Sequence, residues 1–278
     1  MDDQAIFDFK DVTFAYDGKV KAVEGVSLCI HAGERVAILG SNGSGKSTLL
    51  KLMDGLYFPD TGTACAFGTP LTEQAFQDDA FNFSFRQRVG LVFQDSDVQL
   101  FSPSVWDEVA FGPLQLGLSR DEVTQRVDAA LTSLRIEKLR DRAPHRLSGG
   151  EKKRVALASV LSFNPEIWLM DEPSAGLDPR SQSWLVDFII EQGQAGKTIV
   201  TATHDLNIVD SIADRVYVVN EEHHIVANGT PEEILANHDL LIASNLMHAH
   251  RHRHQRGEAE HTHPHIHLPL HQHEHDHI

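Results

Sequence analysis

Gly40-Ser41-Asn42-Gly43-Ser44-Gly45-Lys46-Ser47-Thr48 sets a lysine and two hydroxyls directly behind a glycine-rich turn. The apolar run Val36-Ala37-Ile38-Leu39 precedes it, and Leu49-Leu50-Lys51-Leu52 follows. Strand, glycine-rich loop and helix in that order are the context of a phosphate-binding P-loop. Such glycines let successive backbone N–H groups turn onto phosphate oxygens at the positive end of a helix. Lys46 is then placed to reach the β- and γ-phosphates, and Ser47 to ligate Mg²⁺. The expected ligand is a nucleoside triphosphate.

A second pair of chemical residues, Asp171-Glu172, closes the apolar run Ile167-Trp168-Leu169-Met170. An unbroken apolar run of this kind belongs to a parallel strand buried on both faces. At its end Asp171 can hold Mg²⁺, directly or through water, and Glu172 can take a proton from an attacking water. Twenty residues upstream, Leu147-Ser148-Gly149-Gly150-Glu151 opens a helix, so Ser148 and the N–H groups of Gly149 and Gly150 form a second anion-binding helix start.

The elements around these residues alternate. Phe7 to Phe14 and Val26 to Ile30 alternate apolar and polar positions, as half-buried strands do. Ser119-Arg-Asp-Glu122 is a capping box, followed on one helical face by Val123, Val127, Ala130, Leu131 and Leu134. A helix after Gly150 carries Val155, Leu157, Ala158 and Leu161. Thr198–Thr203 and Val216–Val219 read as further strands, and Thr230-Pro231-Glu-Glu233 as a last helix start. Strands alternating with helices around a P-loop imply a parallel α/β core. Gln74–Arg88, with Phe76, Phe81, Phe83 and Phe85, alternates over Phe81–Phe85 and suggests a strand or a folded insertion.

In this order the motifs resemble the ABC-transporter ATPase family, in which Leu147–Glu151 matches the signature pentapeptide. The resemblance extends over roughly residues 6–235. It implies an α/β P-loop NTPase of ABC ATPase type: a RecA-like parallel-sheet core, an antiparallel β lobe and a helical signature subdomain. The ATPase domain would span 1–244, with a helical insertion at about 102–164.

By the same resemblance Gln94 is the Q-loop glutamine that senses Mg²⁺ and the attacking water. Ser174–Asp178 matches the D-loop that crosses a dimer interface. His204 matches the switch histidine at the γ-phosphate, and Tyr16 the aromatic that stacks on adenine. The family pairs two ATPase domains head to tail, so Ser148, Gly149, Gly150 and Asp178 would serve a partner's nucleotide.

Gln94–Pro113 is similar to the corresponding stretch of energy-coupling-factor importers: three of its first eight positions depart, at Asp95, Ser96 and Val98, while Gln94, Gln99, Leu100 and Phe101 are kept. That similarity implies a groove lined by Leu100, Phe101, Val105 and Trp106 for a transmembrane coupling subunit, with a substrate-binding membrane subunit beyond it. Those importers carry vitamins or transition-metal cations. The partner ATPase would be a second copy or a paralogue.

Composition sets outer limits. A net charge of −16 over 278 residues argues against nucleic acid as a partner, since backbone phosphate needs clustered Lys and Arg. Cys29 and Cys65 are read as core packing in a reducing compartment. The first residues carry no secretory hydrophobic stretch, and no run approaches the ~20 apolar residues of a membrane span. The expectation is a peripheral protein on the cytoplasmic face of the inner membrane, held there by its partners.

From residue 245 the composition changes. Twelve of the 18 histidines lie at His248, His250, His252, His254, His261, His263, His265, His267, His271, His273, His275 and His277. Residues 245–278 are expected to be disordered. Three readings stand for this tail: a purification tag, a functionless low-complexity segment, or a segment that buffers or senses metal. Neutral imidazole suits Ni²⁺, Co²⁺, Cu²⁺ and Zn²⁺, so weak binding of Ni²⁺ or Co²⁺ is the expectation on the third. Nickel import leads, cobalt follows, a vitamin such as biotin is the next cargo, and a non-transport ABC ATPase is the rival class.

Overall fold

The computed structural model describes residues 5–252 and 261–265. Along the chain, β1 (Ala5–Tyr16), β2 (Val20–His31) and β3 (Arg35–Gly40) lead into α1 (Lys46–Met53). Next come β4 (Thr61–Ala66), β5 (Thr69–Pro70), α2 (Glu73–Phe76), α3 (Asp79–Arg88) and β6 (Val89–Val92). A helical stretch follows: α4 (Ser96–Gln99), α5 (Val105–Gln115), α6 (Arg120–Ser133) and α7 (Gly149–Leu161). Then β7 (Ile167–Asp171), α8 (Pro179–Gln194), β8 (Thr198–Thr203), α9 (Leu206–Ile212) and β9 (Arg215–Val219) alternate. The chain continues through β10 (Ile225–Gly229), α10 (Pro231–Ala236), α11 (His238–Ala243), β11 (His248–His252) and β12 (His261–His265).

Two sheets carry the architecture. The larger runs β10-β9-β3-β8-β7-β6, parallel except for β10 at its edge. The smaller, antiparallel sheet runs β2-β1-β4-β5. Strand alternation divides the larger sheet's side chains between two cores. Ala37, Leu39, Trp168, Met170, Val216 and Val218 face the core shared with α5–α9. Val36, Ile38, Ile167, Leu169, Tyr217 and Val219 face α1 and the antiparallel sheet. Both faces are covered, which is why these strands read as continuous apolar runs.

The expected capping boxes form at Ser119–Glu122 and Thr230–Glu233, the latter with Pro231 in the first turn. The aromatic insertion is helical where alternation suggested a strand. Asp78 caps α3 by accepting from the Phe81 N–H, and Phe81 and Phe85 lie four residues apart on one face. Phe85 is buried in the second core beside Phe67 and Phe81, whereas Phe83, off that face, is exposed. Phe76 completes the cluster, with its ring centroid 5.0 Å from that of Phe85.

The tail boundary also moves. Met247 is buried in the first core and Leu246 packs on it, so chain expected to be disordered from 245 is anchored to 247. The apolar pair Leu246-Met247 is the reason. Beyond it β11 pairs antiparallel with β12, His248 opposite His265, His250 opposite His263 and His252 opposite His261. Alternating His with Ala, Arg or Thr is compatible with a period-two strand. His254, His267, His271, His273, His275 and His277 lie outside the described residues.

Candidate nucleotide-binding site

β3, an interior strand, delivers the loop Gly40–Gly45 to the C-terminal end of the parallel strands, and α1 begins at Lys46. The loop needs glycine where it turns. Gly45 has φ +103°, and a Cβ there would lie 1.9 Å from the Ala22 carbonyl oxygen. Any side chain would push β2 off the loop.

Lys46 is buried and folds back along the loop. Its Nζ donates to Gly40 O at 2.8 Å and Ser41 O at 3.0 Å, and lies 3.1 Å from Glu172 Oε1. Ser47 Oγ donates to Asp171 Oδ1 at 2.8 Å. Burial pushes the Asp171 carboxyl above the usual range, and the Ser47 hydrogen bond opposes that shift. A hydroxyl and a carboxylate oxygen, already side by side at a strand end, are hard oxygen donors of the kind Mg²⁺ takes.

Glu172 follows β7 with φ +42°, a left-handed conformation unusual for a side-chain-bearing residue. Its Oε2 lies 2.9 Å from His204 Nδ1, at the end of β8. Its buried Oε1 faces Lys46 yet has no hydrogen bond. One carboxylate oxygen is therefore held by His204, while the other is ion-paired with the Lys46 ammonium.

A cleft of about 500 Å³ joins these groups, lined by Tyr16, Asn42, Gly43, Gly45, Lys46, Ser47, Thr48, Gln94 and Glu172. Tyr16 OH lies 2.8 Å from Thr48 Oγ1, and its ring packs edge-on against Phe14 and Tyr57. Ser41 and Ser44 keep buried hydroxyls without hydrogen-bond partners. His204, Ser41 and Asn42 border a second cleft of about 570 Å³ with Ser174 and Gly176.

Ser148, Gly149, Gly150 and Asp178 do not join this cleft. Ser148 caps α7 in a capping box with Glu151. Asp178 caps α8, and its hydrogen bonds to Ser181 and Arg180 hold its carboxyl below the usual range. Ser148, Gly150, Asp178 and Ser181 line a separate cleft of about 600 Å³ with the cationic Arg135, Lys138 and Arg154.

The expected docking groove is altered in one place. Val105 is fully buried in the core, because as the first residue of α5 it points inward beneath the Ser104 cap. Leu100 and Trp106 are half-buried. Phe101 is 67% exposed and packs edge-on against exposed Phe111, with Leu114 and Val98 also open. Among the described residues no group of three or more His, Cys, Asp or Glu could hold a metal ion, and no helix is long and apolar enough to cross a membrane.

Two residues escaped the sequence reading. His223, in the turn after β9, lines the 500 Å³ cleft with Nδ1 3.1 Å from the Ser44 carbonyl. A carbonyl only accepts, so Nδ1 carries the proton. Lys153, on α7, reaches the chain that leaves β6. Neither stands at a spacing that sequence alone would single out.

The family model described as ABC transporter matches residues 23–175. A nickel import ATP-binding protein, NikO, of Rhodobacter capsulatus is 50% identical over 244 residues, 87% of this chain and 95% of that protein. An energy-coupling factor transporter ATP-binding protein, EcfA2, of Methanospirillum hungatei is 41% identical over 243 residues, 87% of this chain and 60% of that protein. The structure of cbiO1 from Clostridium perfringens, described as part of the ABC transporter complex cbiONQ, superposes with a TM-score of 0.74. It is 38% identical and covers 87% of this chain and 95% of that one. A dimeric post-hydrolysis state of the ATP-binding cassette MJ0796, bound to ADP and Pi, superposes with a TM-score of 0.73 at 28% identity, covering 81% and 98%. The strand–loop–helix at Gly40–Thr48, the carboxylates at the end of β7 and these likenesses agree: the chain belongs to the ABC transporter family, as an ATP-hydrolysing subunit.

Proposed function

We propose that this chain powers import of a transition-metal cation, nickel first and cobalt second. It would act as a head-to-tail ATPase dimer beneath separate membrane subunits, on the cytoplasmic face. The observation that carries the cargo reading is the density of histidine, 12 of 18 within His248–His277, in a chain half identical to a nickel import ATPase. Imidazole is the side chain that suits Ni²⁺ and Co²⁺ at neutral pH. The tail would concentrate the cation or report its level.

In the cleft, backbone N–H groups of Gly43–Thr48 receive the β- and γ-phosphates, and Tyr16 receives the adenine. Lys46 turns from Glu172 to the phosphates, which frees Glu172 Oε1 to accept a proton from the attacking water. His204 fixes Glu172 through Oε2 and faces the γ-phosphate. Ser47 and Asp171, with Gln94, would hold Mg²⁺, which when bound offsets phosphate charge. Support for the dimer is that Ser148 and Asp178 occupy a cleft apart from Lys46, so each copy carries two half-sites. The exposed Phe101, Phe111 and Leu114 would meet the membrane subunit.

The test is ATP-driven uptake in liposomes holding the chain with its co-expressed membrane subunits. Uptake of radioactive Ni²⁺ or Co²⁺, uncompeted by biotin, is expected. Uptake of biotin and of neither cation refutes the metal reading and favours the vitamin reading, to which the likeness to EcfA2 lends weight.

A further inference from the structure

Lys153 is 3% exposed, yet it carries an ammonium. Its Nζ donates to two main-chain carbonyls, Gln94 O at 2.8 Å and Phe93 O at 3.2 Å. Burial lowers its pKa, against the pull of the Asp171 and Asp95 carboxylates. Placing an ammonium here is costly, and an apolar chain of the same length would fill the space without that cost. What the ammonium adds is a pair of charge-assisted hydrogen bonds, stronger than neutral ones, on the two peptides where β6 ends.

Two neighbours fasten the same segment to the same helix. The Gln99 carboxamide accepts from the Phe93 N–H at 3.1 Å and donates to Ala156 O at 3.0 Å and Ser159 Oγ at 3.2 Å. Lys152 pairs with Asp97 at 2.5 Å. Residues 93–99 are thus tied to α7 at three points, and only the Lys153 tie holds the peptide of Gln94 itself. Four residues upstream, about 6 Å along the axis at 1.5 Å per residue, α7 begins at Gly149.

We propose that Lys153 is a positioning residue for ATP hydrolysis, which sets Gln94 in the cleft according to where the first turn of α7 sits. A nucleotide engaged by Ser148 and Gly150 would displace α7, and the charged tie would carry that displacement to Gln94. The trans half of this statement rests on the head-to-tail reading. The tie between Lys153 and Gln94 lies within one chain and stands or falls separately.

The experiment is a double-mutant cycle on the full chain, with ATP hydrolysis read at varied ATP and Mg²⁺. K153M is expected to lower kcat about tenfold with the ATP KM within about twofold, and to raise the half-saturating Mg²⁺ concentration. On a Q94A background, K153M is expected to cost less than about twofold, since its effect passes through Gln94. K153R, which keeps a cationic donor, is expected to recover at least half of kcat, and melting temperature reports folding in each variant. An equal loss with and without Gln94, or an unchanged Mg²⁺ dependence, overturns the proposal. If Q94A alone abolishes turnover, the Mg²⁺ dependence of trinitrophenyl-ATP binding by K153M decides instead, and no shift overturns it. A chain that shows the expected coupling, yet whose S148R and E172Q variants regain no hydrolysis when mixed, keeps the tie and refutes the dimer.

Discussion

Replacing Glu172 by Gln tests the site most directly. The substitution keeps shape and removes a carboxylate that faces both Lys46 and His204. A positioned general base contributes roughly 10² to 10⁴ in rate, so hydrolysis should fall by that factor, about 3–5 kcal/mol of barrier. Nucleotide binding should move the other way. At 3.1 Å the Lys46–Glu172 attraction is of order 5 kcal/mol at an effective dielectric of about 20, and desolvation cancels most of it. Freed of that partner, Lys46 is more available to phosphate, so ATP should bind equally well or up to about tenfold tighter. Steady-state phosphate release and equilibrium binding of a fluorescent ATP analogue measure the two effects. E172Q that hydrolyses within tenfold of the parent, or that loses ATP binding, refutes the assignment of Glu172 as base.

Ser148→Arg should leave ATP binding intact and abolish hydrolysis. Mixing it with E172Q should restore roughly a quarter of parent activity, because half the dimers are mixed and each holds one intact site; no recovery refutes a site shared across copies. Asp54 is buried at the end of α1, and burial pushes its carboxyl up to about 7 against the pull of Arg86. The native state therefore keeps a proton that the unfolded chain releases near its ordinary value, about 3.9. Asp54's contribution is full below that value and is lost as pH rises through about 7. D54N cannot ionise, so its stability relative to the parent should rise between pH 5 and pH 8 in urea denaturation, and a gap independent of pH refutes the reasoning. Trp168→Ala should cost about 3–5 kcal/mol in the same assay, since the indole is fully buried against Phe188 and its Nε1 has no hydrogen bond to lose. Truncation after Met247 should keep the melting temperature and abolish Ni²⁺ binding, while in the full chain that binding should weaken below about pH 6.5, where imidazole protonates.

The chemistry was legible where it depends on backbone and close spacing. Gly40–Thr48 forms the strand–loop–helix its residues predicted, because a turn with φ +103° at Gly45 needs glycine, so sequence reports it directly. The apolar run before Asp171 announced a strand buried on both faces, and both capping boxes formed because they are local hydrogen-bond exchanges.

What escaped depends on packing between distant elements. The phenylalanines at 81, 83 and 85 read as alternation, but the Asp78 cap and the ring cluster with Phe76 in the second core favoured the four-residue spacing of a helix. Val105 was grouped with Leu100, Phe101 and Trp106 until the α5 start turned it fully inward. Leu246 and Met247 looked like the beginning of the tail, yet the core had room for them.

By itself the sequence determined the family, the glycine-rich loop between β3 and α1, and the carboxylate pair at the end of β7. Only the tertiary structure decided that Lys46 rests against Glu172, that Ser148 lies in a different cleft, and that Lys153 grips the peptide of Gln94. Those facts are distances between residues far apart in the chain, set by how two cores pack on one sheet, and no local pattern encodes them.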